Sequence, residues 1–260
     1  MAKKALCIGV NDYPYGAAND LRGCVNDCND WAALLRDHYD FTDIQVVQDG
    51  NARKAAIMDG IKNLLADARS GDVLVLTNAS HGTYEASASD DEDFDEALCP
   101  YDTDSNLIVD DELRELFANV PAGVNLTVIS DSCHSGSVTR VVLDQYRRRR
   151  FLPPDVRGSR VLTAEQMRAA RKKKRQQGQA MYPESGMNEI LLSGCRDVQT
   201  SADAYIAGDY HGAMSYYAIQ AIREADYRLT YAELHKRLCE LLEEAVFETV
   251  PQLQGKDEKK

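Results

Sequence analysis

The sequence predicts an α/β protein built on a mostly parallel sheet with helices on both faces. Three observations carry this. Short, continuous apolar runs end in polar loops, as buried strands do. Segments with helical spacing lie between these runs. The chain of 260 residues, 44% hydrophobic and 28% charged, is long enough for a large buried core and has an ordinary globular composition.

The strand runs are KKALCIGV (3–10), IQVVQD (44–49), DVLVLTNASHG (72–82), VNLTVISDSC (124–133) and NEILLSGC (188–195). Between the first two, residues 18–38 repeat Leu21, Cys24, Val25, Cys28, Trp31 and Leu35 at helical intervals. The segment after Asn51 repeats Ile57, Ile61, Leu64 and Leu65, with Asn51 placed to cap it. VDDELRELFANV predicts a short helix, and residues 83–106 read as acidic, Ser-rich and irregular. Beyond the last apolar run, 211–226 and 230–250 are amphipathic, and Thr230 with Glu233 makes a capping box for the second. The chain ends in a polar tail, PQLQGKDEKK.

Charge divides the molecule. Residues 140–175 hold thirteen Arg and Lys against three acids, a local +10; with the chain at −12 overall, the remainder carries −22. Such an acidic body weighs against a general nucleic-acid binder, and the basic segment has few aromatics for stacking bases. Residues 139–186 form a long polar insertion with no repeating apolar face, which reads as a functional or disordered loop. The organisation expected is therefore a larger part, 1–138, a basic linker, 139–186, and a smaller part, 187–260, of one domain. No stretch approaches the length of a membrane span, and the first residues lack the pattern of a secretory leader. Seven irregularly spaced cysteines fit reduced thiols better than a disulfide framework. A cytoplasmic location is expected from these features.

Two strand ends carry the chemistry. Ligands in open α/β sheets bind beyond the carboxyl ends of strands. His81-Gly82 and Cys133-His134-Ser135-Gly136 fall there. A thiolate nucleophile needs a base to take its proton and backbone N–H groups to hold the oxyanion. Cys133 is the candidate nucleophile and His81 the candidate base. His134 is a rival base, but adjacent side chains of an extended segment point apart. The N–H groups of Gly82 and Cys133 are the candidate oxyanion hole.

The stretches LRGCVND (21–27), ASHGT (79–83), DEALCPYD (95–102), ISDSCHSGS (129–137) and SGCRDVQTSADAY (193–205) together resemble the metacaspases and their prokaryotic relatives, caspase-like cysteine peptidases of clan CD. The resemblance runs over nearly the whole chain, and the separation of 52 positions from His81 to Cys133 agrees with caspase spacing. It implies a three-layer α/β/α caspase-hemoglobinase fold and a monomer cutting protein or peptide substrates after Arg or Lys. It implies an S1 pocket at Cys24, Asp27 and Asp131, where carboxylates would pair with a guanidinium or ammonium. Taken alone, Asp27 reads equally well as a solvated helix charge and Asp131 as a strand-end hydrogen bonder. Ala79 stands where the family carries Ser.

The resemblance also implies calcium ligands at Asp95, Asp110 and Asp111, but Arg140 stands where a further acidic ligand is expected, which weighs against calcium as a cofactor. Relatives of this type are held inactive until the linker is cut. The expectation is a zymogen activated by cleavage in the basic linker, at Arg147, Arg148, Arg149 or Arg150, in cis or by an upstream protease. Its role would be regulated proteolysis such as cell death or defence. The alternatives are a caspase-fold scaffold without activity and a regulator that binds nucleic acid through the basic linker.

Overall fold

The structure is a computed structural model that describes residues 1–86, 94–133, 146–159, 161–163, 165, 166, 169, 187–194 and 201–260. In chain order its elements are β1 (Lys3–Gly9), α1 (Cys24–Tyr39), β2 (Asp43–Gln48), α2 (Lys54–Leu65), β3 (Val73–Ala79), β4 (Gly82–Ala86), β5 (Phe94–Leu98), β6 (Ile108–Val109), α3 (Asp110–Ala118) and β7 (Asn125–Asp131). There follow β8 (Arg147–Arg149), β9 (Glu189–Ser193), β10 (Ala202–Ile206), β11 (Asp209–Gly212), α4 (Ala213–Glu224), α5 (Tyr231–Glu244) and β12 (Gln252–Gln254).

Six strands form one sheet in the order β12-β9-β7-β3-β1-β2. All neighbours run parallel except β12, which pairs antiparallel with β9. Alternate residues of each strand serve opposite faces. Leu6, Ile8, Leu74, Leu76, Leu126 and Val128 meet Ile57, Ile61, Leu64 and Phe117 of α2 and α3. Ala5, Cys7, Val75, Ile129 and Leu192 face Trp31, Leu35, Ile219, Ile222, Leu238 and Leu242 of α1, α4 and α5. This double burial is why the strands read as unbroken apolar runs. Among the described residues, no helix is long and apolar enough to cross a membrane.

Four expectations are corrected. Residues 83–106 are not irregular throughout: β4, β5 and β6 form a three-stranded antiparallel sheet that buries Thr83, Tyr84 and Ala97. Asn51 does not cap α2; the Asp102 carboxylate accepts from the Lys54 N–H at 2.8 Å and takes that role from across the chain. The polar tail contributes an edge strand, β12, because backbone pairing to β9 needs no apolar side chains. The basic linker is not wholly a loop: β8 pairs antiparallel with β10, and Arg150 and Leu152 are fully buried. Arg140 and the charged run 171–175 lie outside the described residues.

Candidate active site

β3 and β7 run in parallel with Ala79 opposite Asp131, so His81 and Cys133 each lie two residues past a paired position. Both are buried. The His81 ring packs against Tyr13, centroids 4.8 Å apart, and the Tyr13 hydroxyl accepts the His81 backbone N–H at 2.9 Å. Nε2 of His81 is 2.8 Å from the Asn19 carbonyl. A carbonyl only accepts, so this bond puts the proton on Nε2 and leaves the Nδ1 lone pair open. Among the described residues Nδ1 has no hydrogen-bond partner. Burial lowers the His81 pKa to about 4; the Asn19 carbonyl opposes that shift and the Arg150 charge adds to it. The imidazole is thus neutral at ordinary pH, as a general base must be. The Cys133 thiol receives the Ser201 backbone N–H.

One segment of the chain runs through this site. The Arg150 carbonyl accepts from the N–H of Gly82 at 3.0 Å and from that of Cys133 at 3.1 Å, the two amides read as an oxyanion hole. The Arg150 N–H donates to the Ser201 carbonyl at 3.0 Å, and the Leu152 N–H to the Gly82 carbonyl at 2.9 Å. Upstream, β8 pairs Arg149 with Ala202, Arg148 with Asp203 and Arg147 with Ala204. The backbone is therefore extended and bonded on both sides of the Arg150–Phe151 peptide bond. Only a glycine fits at position 82, since a Cβ there would lie 2.1 Å from the Cys133 carbonyl oxygen.

The Arg150 side chain is completely buried among carboxylates. Nη2 is 2.5 Å from Asp27 and 3.3 Å from Asp203, and Nη1 is 3.2 Å from Asp131. Asp27 belongs to the first turn of α1, Asp131 ends β7 and Asp203 lies on β10. Each carboxylate is held by other donors. Asp27 accepts the Gly212 N–H at 3.0 Å, Asp131 the Ser215 N–H at 2.9 Å and the Ser201 hydroxyl, and Asp203 the N–H groups of Arg22 and Gly23 at 2.9 and 2.8 Å. Burial pushes the Asp27 carboxyl up, against the pull of Arg150. Burial also works against the Arg150 charge, but Asp131, Asp27 and Asp203 more than offset it and hold its pKa well above the ordinary value. Cys24 is buried at the start of α1, within reach of the same charges, and burial holds its thiol pKa well above the ordinary value. Gly212 floors the pocket: a Cβ there would sit 2.2 Å from Asp131 Oδ2 and 2.4 Å from Arg150 Nη1.

The geometry thus brings together His81, Gly82, Cys133, Asp27 and Asp131, and separates Arg150 from Arg147, Arg148 and Arg149, which stay outside the carboxylate pocket. Asp203, Ser201, Tyr13 and Asn19 were not singled out from the sequence. Asp203 and Ser201 do lie within SGCRDVQTSADAY, but nothing in that stretch marks one as a pocket wall. Of the acidic positions weighed for calcium, three lie among the described residues. Asp110 and Asp111 both pair with Arg114, at 3.3 and 2.8 Å, at the start of α3, where acidic residues also suit the helix dipole. Asp95 stands on β5. Among the described residues no group of three or more His, Cys, Asp or Glu side chains is placed to hold a metal, while calcium takes six to eight oxygens.

The chain is similar in sequence and fold to known proteins. Residues 3–142, more than half of the chain, match the family model of the metacaspase, peptidase C14 domain. Metacaspase-8 of Arabidopsis thaliana is 41% identical over 166 residues, 60% of this chain and 42% of that protein. Metacaspase-1 of Scheffersomyces stipitis is 32% identical over 256 residues, 85% of this chain and 63% of that one. The chain spans less than two thirds of the length of these relatives. A crystal structure of a Geobacter sulfurreducens protein superposes with a TM-score of 0.74 at 26% identity, over 98% of this chain and 94% of that one. Caspase-1 of Spodoptera frugiperda, at a TM-score of 0.59 and 12% identity over 98% and 86%, shares the fold. With the family model matched over residues 3–142, the chain belongs to the metacaspase family of peptidase C14 domains.

Proposed function

We propose that this chain is a cysteine endopeptidase that cuts after Arg or Lys, and that it is made as a zymogen which first cuts itself after Arg150. One observation carries the reading: the Arg150 carbonyl sits between the N–H groups of Gly82 and Cys133 while its side chain pairs with Asp27, Asp131 and Asp203. A substrate in a site of this kind has its scissile carbonyl and its specificity side chain held in the same way.

The chemistry follows from the residues. The Cys133 thiol gives its proton to Nδ1 of His81, and the thiolate attacks the Arg150 carbonyl carbon. The oxyanion forms against the Gly82 and Cys133 amides. Its collapse breaks the Arg150–Phe151 bond, and the proton on His81 passes to the leaving Phe151 amine. Water, deprotonated by His81, then hydrolyses the thioester, releasing the Arg150 carboxylate and restoring the thiol. Tyr13 and Asn19 position the imidazole throughout. No step uses a metal.

A guanidinium or ammonium completes a pocket of three carboxylates, and a neutral or acidic side chain would leave them unpaired. That contrast supports the choice of Arg and Lys. While residues 147–152 occupy the site no other substrate can enter, which supports a zymogen. Placement of the bond in the chain's own site favours cleavage in cis over an upstream protease. The test is hydrolysis of a fluorogenic peptide ending in Arg by the purified protein. Turnover of the Arg peptide, at least 100-fold above an Asp analogue and abolished in Cys133→Ala, is expected. Equal turnover of both, or turnover that survives Cys133→Ala, would overturn the reading.

A further inference from the structure

The strand that carries Arg150 into the carboxylate pocket also displays Arg147, three residues upstream, in a second and separate seat. The Arg147 guanidinium carbon lies 4.5 Å from the centroid of the Phe247 ring. Its Nη1 is 3.5 Å from the Val246 carbonyl oxygen. Both residues follow directly on α5. Ala245, Val246 and Phe247 turn their N–H groups back to Leu241, Glu243 and Leu242, and Val246 takes the left-handed conformation at φ 59° that ends many helices. The seat is therefore the carboxyl end of a helix, where unpaired carbonyls leave partial negative charge. The Phe247 ring is half-buried and braced edge-on by Tyr217, centroids 5.9 Å apart. Val246 is 76% exposed, so the seat opens to solvent. Glu243, Glu244 and Glu248 are exposed around it.

We propose that Phe247 and the Val246 carbonyl form a fourth subsite that takes a cationic side chain, so that the enzyme selects substrates basic both at P1, the residue before the scissile bond, and at P4, three residues earlier. This rests on the reading that residues 147–150 lie as a substrate lies. Two physical terms give the preference. The face of an aromatic ring attracts a cation, and Arg adds planar stacking that Lys lacks. The helix end favours positive charge and repels a carboxylate. An aliphatic P4 side chain would contact Phe247 but gain nothing from the carbonyl.

The experiment measures kcat/KM of the self-processed enzyme on four fluorogenic peptides, all Ala-Ala at the middle positions and Arg at P1, with Arg, Leu, Ala or Glu at P4. Arg over Ala by roughly tenfold is expected, from a ring contact and a helix-end contact together. Leu should fall between Ala and Arg, and Glu below Ala. In Phe247→Leu the Arg-to-Ala ratio should fall to about twofold, the share left to the helix end, and in Phe247→Trp it should persist. Because each ratio is taken within one enzyme, a change in folding or in the active fraction cancels. Equal rates at P4 in the wild type, or an unchanged ratio in Phe247→Leu, would overturn the subsite while leaving the P1 reading intact. Hydrolysis of none of the four would overturn the peptidase reading and the subsite with it.

Discussion

Arg150 and His81 each pose an electrostatic problem that the surrounding residues solve. Arg150 is a fully buried cation with three carboxylates in contact, so removing it strands those charges. Breaking a buried ion cluster from one side costs about 3–5 kcal/mol. Arg150→Gln should lower stability by that order in chemical denaturation and should abolish cleavage of the bond that follows. Arg150→Lys keeps the charge and should retain cleavage. His81 resists protonation because it is buried, and its folded pKa of about 4 lies below the ordinary 6.5. The unfolded chain therefore takes up a proton between these values while the folded one does not. Stability should fall as pH drops from about 6.5 to about 4, by on the order of 3 kcal/mol, and level off below. The melting temperature should fall more steeply with pH across that window for the wild type than for His81→Asn. That His81 and Cys133 lie past the ends of neighbouring strands was legible because the apolar runs of β3 and β7 end just before them. Asp203 was not, because the sequence gives no sign that a strand beyond the linker folds back beside α1.

At the scale of elements, the helices were legible because each repeats its apolar period over several turns, and the central strands because burial on both faces makes them unbroken apolar runs. Thr230 and Glu233 form the capping box read from the sequence, with Glu233 accepting the Thr230 N–H at 2.8 Å. Thr230→Ala should cost about 1 kcal/mol in denaturant unfolding. β8 and β12 escaped notice because Arg147–Arg149 has no apolar residue and Gln252–Gln254 has a single one, too few to show a period; what makes them strands is a distant partner, β10 for one and β9 for the other. The junction of β11 and α4 lies against the carboxylate pocket, so on the proposed reading it bears on specificity. Gly212→Ala would push a methyl group between Asp131 and the arginine it holds. Self-cleavage and hydrolysis of Arg peptides should both drop by at least 100-fold, with β10 and β11 otherwise unchanged in hydrogen exchange.

In the whole molecule, the parts on either side of the basic segment share one sheet. β9 pairs with β7 over five positions, and α4 and α5 cover the same face as α1. A cut after Arg150 therefore does not divide a domain from a domain. The two pieces should stay associated and elute as one species near the 28.9 kDa of the intact chain, separating only in denaturant. The charge asymmetry read from the sequence, +10 in residues 140–175 against −22 elsewhere, finds a structural counterpart where Arg150 meets the acidic pocket, though much of that segment lies outside the described residues. Which of the arginines enters was beyond the sequence, because Arg147 to Arg150 are chemically identical and only the backbone register on β10 distinguishes them. The central claim is that this register sets the first bond the enzyme cuts. Mass spectrometry of the purified wild type beside Cys133→Ala tests it most directly. The account expects the wild type to be cleaved between Arg150 and Phe151, at a rate that does not change on dilution, and Cys133→Ala to stay whole. A wild type cut elsewhere with that bond intact, or a Cys133→Ala chain cut at the same place, would contradict it.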